Sequence, residues 1–175
     1  MPEPTVEQLY DEAAIAARVA DLAQEVAGTL PPRFTFVALL KGSFVFAADL
    51  VRALSRHGCE PRIEFMRISS YGSDTKSSGI VSLMGDAPQA VRGEPVLLVD
   101  DIHDTGRTLA FTRSFLRERG ATRVWTCTLL DKPSRREVES EVDFVGFTIP
   151  DVFIVGYGID WAERYRHLPF IGRIV

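Results

Sequence analysis

Twice in this chain, an apolar block long enough for one buried strand runs straight into a polar turn and then into an amphipathic helical pattern. The first block is residues 34–40, "FTFVALL", followed by Lys41-Gly42 and by "SFVFAADLVRALSRHG", with Ser43 as N-cap and Gly58 as terminator. The second is residues 96–99, "VLLV", followed by a turn rich in acids and hydroxyls and a helix ending at Gly120. Strands apolar at consecutive positions are buried on both faces, as in sheets whose parallel strands are joined by helices. The repeated unit predicts an α/β fold with a mainly parallel, twisted sheet flanked by helices. In such sheets ligands bind beyond the carboxyl ends of the strands, where the turns emerge.

The remaining segments fit this frame. "TVEQLYDEAAIAARVADLAQEVAG" predicts a single helix within residues 1–30, with Thr5 and Gln8 as a capping box and Ile15, Val19, Leu22 and Val26 on one face. "RIEFMRIS" and "IVSLM" predict a hairpin whose polar tip, within residues 69–79, is rich in Ser and Gly and free of apolar anchors. "ATRVWTCTLL" predicts another buried strand, which Pro133 stops, and "DFVGFTIP" and "VFIVGYGID" two short ones. At 175 residues, 46% hydrophobic and 25% charged, the chain fits one globular domain spanning 1–175.

The net charge of −4 and pI near 5.4 give no global attraction to nucleic acid or an anionic membrane. No apolar run reaches bilayer-spanning length. Cys59 and Cys127 have neither metal-ligand nor redox spacing. A soluble cytoplasmic protein is expected.

Chemistry concentrates in "VLLVDDIHDTGRTL". Asp100, Asp101 and Asp104 crowd the end of a buried strand, where ionised carboxylates cost several kcal/mol each unless a cation arrives. The letters match D-D-x-x-D, which chelates magnesium in prenyl-synthase-type enzymes when the acids share a helix face. A β-rich aliphatic run precedes this copy, however, and no second acidic copy exists. The alternative is strand, phosphate turn, helix: Gly106 lets successive N–H groups turn inward, Thr105 and Thr108 offer hydroxyls, and the helix presents its positive end to an anion. A phosphorylated sugar with magnesium supplies the missing positive charge.

That stretch resembles the phosphoribosyl-diphosphate signature of type I phosphoribosyltransferases. "LLKGSFVFAADL", "SSYGS", "LLDKPSRR" and "DFVGFTIPDVFIVGYGIDWAERYRHLPFIG", in the same order, make the chain similar to the hypoxanthine-guanine branch of that family. The resemblance implies a Rossmann-like core with a small hood, purine-binding and hood elements in 131–175, and a mobile lid at 69–79. It implies transfer of a phosphoribosyl group to a 6-oxopurine with Mg2+, and a homodimer or homotetramer.

Residue by residue, the resemblance makes Asp104 the general base toward the purine N7. Asp100 and Asp101 meet the ribose hydroxyls or the metal, with Asp100 standing where relatives commonly carry Glu. Ile102 through Thr108 form the cradle, Thr105, Gly106, Arg107 and Thr108 holding the 5-phosphate. His103 occupies a position that is usually aliphatic; an exposed side chain or a local hydrogen-bonding role is the first expectation, an extra phosphate or ribose contact the second. Lys41-Gly42, in a loop where relatives can carry a non-proline cis peptide, and Arg166 reach pyrophosphate, and Ser70 and Tyr71 close over it. Lys132 donates to the purine O6, Phe153 stacks on the ring, Val152 and Ile154 line the base edge, and Asp160 serves that edge and a metal. A different class of protein on the same fold, a phosphoribosyl-diphosphate-sensing RNA-binding regulator, is the second reading.

Overall fold

The structure is a computed structural model describing residues 3–71 and 80–175, with side chains described up to Ser69 and again from Ile80. The expected lid tip, and the side chains of Ser70 and Tyr71 with it, lie outside the described residues.

In chain order the elements are β1 (Val6–Tyr10), α1 (Glu12–Thr29), β2 (Thr35–Leu40), α2 (Phe44–Ser55), β3 (Arg62–Tyr71), β4 (Ile80–Met84), β5 (Pro95–His103), α3 (Arg107–Glu118), β6 (Arg123–Asp131), β7 (Phe144–Thr148), β8 (Ile154–Val155) and β9 (Ile171–Ile174). Six strands form the main sheet in the order β4-β3-β2-β5-β6-β7. All neighbours are parallel except β3 and β4, which pair as an antiparallel hairpin. A second, antiparallel sheet, β1-β9-β8, forms the hood.

The consecutive apolar residues divide between two cores. Phe36, Ala38, Leu97 and Val99 face α1 and α2, while Val37, Leu39, Val96 and Leu98 face α3. From β2 the chain moves through α2 outward to β3; from β5 it moves through α3 in the other direction, to β6. Strands β2 and β5 are neighbours, so a topological switch lies between them and leaves a crevice at their carboxyl ends. The turns that leave those two ends are Lys41–Ser43 and Asp104–Gly106, the segments expected to carry the chemistry.

The N-terminal segment departs from expectation. Residues 6–10 are a strand instead of the first turns of a helix, and Asp11 replaces Thr5 as the cap, its carboxylate accepting the Ala14 N–H at 2.8 Å. The cause is tertiary: Val6 pairs with Ile174 across the hood sheet, and Tyr10 stacks on Phe147 with ring centroids 4.0 Å apart. The expected helix face of Ile15, Val19, Leu22 and Val26 is buried. Ser43 stands at the N-cap position of α2 but makes no cap; its hydroxyl donates back to the Leu39 carbonyl at 2.5 Å, fastening the turn to the strand it leaves.

Candidate active site

The acidic stretch is a strand almost to its end. Asp100 and Asp101 belong to β5, paired in parallel with β6, which rules out the helical D-D-x-x-D arrangement. Asp100 is 7% exposed, and burial first, then the charge of Asp101, pushes its carboxyl well above the ordinary carboxylate range. Among the described residues neither acid pairs with Lys or Arg. Asp101 instead lies against the Lys41-Gly42 turn: a Cβ on Gly42 would stand 2.0 Å from Asp101 Oδ2. The Leu40–Lys41 peptide preceding that glycine is cis.

Beyond Asp104 the chain turns at Gly106, with φ of +92°, and enters α3. The first turn of α3 holds no acid, and its Arg107 N–H donates to Thr105 Oγ1 at 3.4 Å, so the following N–H groups and the positive dipole end suit an anion. A cleft of about 40 Å³ is lined there by Asp100, Ile102, His103, Asp104, Thr105, Gly106 and Thr108. The Arg107 side chain is directed elsewhere, paired with Glu137 at 2.9 Å, so only its main chain belongs to the turn.

His103 corrects an expectation. Its side chain is 2% exposed, and its Nε2 lies 3.3 Å from the Ser140 carbonyl. Burial, and after it the nearby Arg136, hold its pKa below the usual value. The side chain is thus buried where an exposed one is an expectation, and it makes a local hydrogen bond.

The end of β6 closes on this turn. Lys132, at the end of β6, is buried, and its N–H donates to the His103 carbonyl at 3.0 Å. Phe153, which an ordinary strand would put in the core, is 54% exposed just before β8, with Val152 half-buried and Ile154 buried beside it. The hood loop then returns over Lys41-Gly42. A Cβ on Gly158 would stand 2.8 Å from the Gly42 carbonyl, and Lys41 Nζ meets Glu163 at 2.9 Å. Arg166 donates to the Gly158 carbonyl and pairs with Asp160 at 3.1 Å and Glu163 at 3.2 Å, while its Nε is buried without a partner among the described residues. Ala162, Glu163 and Tyr165 all have positive φ, a conformation costing L-residues roughly 1–2 kcal/mol each, which this loop's ion pairs and main-chain bonds hold in place.

Asp100, Asp101 and Asp160 are not gathered into one metal cage, and no cluster of three His, Cys, Asp or Glu suited to a metal exists among the described residues. A hard cation such as Mg2+ usually takes one or two carboxylates and completes its shell with water and substrate phosphates. A buried carboxylate with an acidic neighbour and no cationic partner suits that chemistry. Asp100→Asn tests the electrostatics without catalysis. A carboxyl raised in the folded state adds stability below its unfolded pKa, and that stability is lost as pH rises through the folded value. At pH 7.5 the variant is therefore expected to melt a few degrees higher than the native protein, an advantage that fades below about pH 4. A melting series across pH would show it; a lower midpoint at pH 7.5 would contradict it.

Sequence reasoning missed Arg135, Arg136 and Glu163. The first two stand in "PSRR" directly after Lys132, where the density of basic residues was the available signal. Arg136 donates to the carbonyls of His103 (3.3 Å) and Asp104 (2.6 Å) and to Asp131 (2.5 Å), bolting the end of β5 to the end of β6.

Comparison with known proteins gives this geometry its context. Residues 5–161 match the phosphoribosyl transferase domain model. The chain is 46% identical over 174 residues to a hypoxanthine phosphoribosyltransferase of Salmonella typhimurium, covering 98% of this chain and 96% of that one. It is 45% identical over 163 residues to a hypoxanthine-guanine phosphoribosyltransferase of Aquifex aeolicus, covering 92% and 90%. A crystal structure of a hypoxanthine-guanine phosphoribosyltransferase from Bacillus anthracis superposes with a TM-score of 0.91 at 42% identity, covering 99% and 100%. All three are named as enzymes, and none as a nucleic-acid-binding regulator. With the cradle at the sheet's switch point and the hood above it, the chain belongs to the phosphoribosyl transferase family.

Proposed function

We propose that this protein transfers the 5-phosphoribosyl group of phosphoribosyl diphosphate to hypoxanthine or guanine, forming IMP or GMP and pyrophosphate. What supports this most is a convergence. The turn suited to a sugar phosphate and the residue suited to a 6-oxopurine share one hydrogen bond, Lys132 N–H to the His103 carbonyl, on the carboxyl side of one crevice.

The 5-phosphate rests on the N–H groups and hydroxyls from Thr105 to Thr108 and on the positive end of α3. Asp100 and Asp101 hold the ribose hydroxyls, Ile102 and His103 line the cleft by their main chain, and Lys41, Gly42 and Arg166 face pyrophosphate, with Ser70 and Tyr71 closing over it. Asp100 and Asp101 on one side of the site and Asp160 on the other would hold Mg2+, which would supply positive charge against the diphosphate and the buried Asp100. Phe153 stacks on the purine, Val152, Ile154 and Asp160 fix its edge, and Lys132 donates to O6. As the sugar C1 bonds the base and its bond to pyrophosphate breaks, Asp104 accepts the N7 proton. No protein nucleophile is required: positioning and electrostatics carry the reaction.

Adenine presents an amino donor where Lys132 also donates, so it is refused. Lys132→Met, which keeps the main-chain bond and drops the donor, is expected to raise KM for hypoxanthine about 10- to 100-fold, a charged hydrogen bond being worth roughly 1.5–3 kcal/mol. Affinity for phosphoribosyl diphosphate should stay within a few-fold. Steady-state kinetics against each substrate separates the two. The reading as a whole is tested by incubating the protein with phosphoribosyl diphosphate, Mg2+ and each purine in turn and quantifying nucleotide. Products from hypoxanthine and guanine but not adenine are expected; none from any base would end the proposal.

One domain over 1–175, with a lid at 69–79, is part of the same reading. A homodimer or homotetramer accords with the exposed Phe44, Ile63 and Phe65 around an apolar hollow of about 320 Å³ between α2 and β3. A reducing, cytoplasmic location accords with Cys59 and Cys127 being free and buried.

A further inference from the structure

Arg135 bridges two loops that the reaction must keep in register. Its Nε donates to Asp104 Oδ1 at 3.0 Å, and its Nη1 lies 3.7 Å from Asp151 Oδ2. Asp104 begins the turn between β5 and α3; Asp151 stands two residues before Phe153, on the loop assigned to the purine. The backbone next to Arg135 is fixed independently. Arg136 holds the carbonyls of His103 and Asp104, and the N–H groups of Glu137 and Val138 both donate to the Thr105 carbonyl, at 2.9 and 3.1 Å. The Arg135 guanidinium therefore starts from a braced position.

The Arg135 and Asp104 side chains are each about half exposed, and an ion pair in that setting contributes little to stability. It does restrict rotation. A carboxylate is symmetric, and a lone aspartate beside a turn samples several χ2 settings. With Oδ1 occupied by Arg135, Oδ2 remains the oxygen without a hydrogen-bond donor among the described residues.

We propose that Arg135 is a positioning residue: it fixes the Asp104 carboxylate so that one oxygen stays available to the purine, and through Asp151 it sets that carboxylate against the loop bearing Phe153. This inference rests on Asp104 being the proton acceptor. The residue acts through Asp104 and carries no proton itself.

A double-mutant cycle on kcat tests it, using the native protein, Arg135→Ala, Asp104→Asn and the double variant. Arg135→Ala is expected to lower kcat about tenfold, with KM for phosphoribosyl diphosphate unchanged and the melting temperature close to native. In the Asp104→Asn background the same change is expected to have no further effect, because no proton acceptor remains to be oriented. Guanidinium at millimolar concentration should restore part of the Arg135→Ala loss, and none of the Asp104→Asn loss. An Arg135→Ala variant with native kcat, or one losing the same factor in both backgrounds, would overturn the inference while leaving Asp104 as the base. Native turnover in Asp104→Asn would overturn the reading beneath it, and the inference with it.

Discussion

Asp104→Asn is expected to lower kcat for nucleotide formation by about 10²- to 10⁴-fold, the range typical of a lost general base. The change is close to isosteric, and the amide oxygen can still accept from Arg135 Nε, so the turn should keep its shape. What it cannot do is take a proton from the purine. Binding of phosphoribosyl diphosphate should remain within a few-fold of native, because the proposed 5-phosphate site is made of main-chain N–H groups, hydroxyls and the end of α3. Pre-steady-state measurement of a single turnover, set beside equilibrium binding of phosphoribosyl diphosphate, would show the split. A kcat within threefold of native would remove Asp104 from the proton transfer.

Gly42→Ala is expected to reduce kcat/KM about 100-fold with the fold intact. Its new methyl group would stand 2.0 Å from Asp101 Oδ2 and 2.8 Å from Asp101 Cγ, closer than atoms approach. Asp101 is a short side chain on a paired strand and must swing away from the position proposed for the ribose to make room. A displacement near 1 Å of a substrate-holding group is enough for a loss of that order. The opposite side of the turn offers no relief, since its carbonyl already packs against Gly158. Gly28→Ala is the control: a Cβ there meets nothing within 4 Å, and in a helix the change should add about 0.5–1 kcal/mol of stability without touching activity. Kinetics and thermal melts on the two variants check both halves. Native kcat/KM in Gly42→Ala would mean that Asp101 and the glycine turn do not share a site.

The parts of the fold legible in the sequence are those written locally. Residues 34–40, apart from Thr35, and residues 96–99 are apolar because helices cover both faces of the sheet, and the glycines at 58 and 120 end the helices that follow. Residues 6–10 misled because their partner strand begins more than 160 residues later, at Ile171, and a helical spacing of apolar residues cannot report such a pairing. Strand β9 itself was invisible for the same reason. In the site, the acids, Lys132 and the glycine turn could be read from order and residue type. The side-chain direction of His103, buried against Ser140, could not, nor could the ion pairs of Arg135 and Arg136, which exist because the segment after Pro133 folds back on the acidic turn.

The most direct test of a single site completed by metal is calorimetric titration of phosphoribosyl diphosphate with and without Mg2+, on the native protein and on the double variant Asp100→Asn, Asp101→Asn. Native affinity should fall by at least tenfold when the metal is withdrawn, and the double variant should bind weakly and nearly alike in both conditions. Equal native affinity with and without Mg2+, or a metal effect undiminished in the double variant, would contradict the assignment of the paired acids.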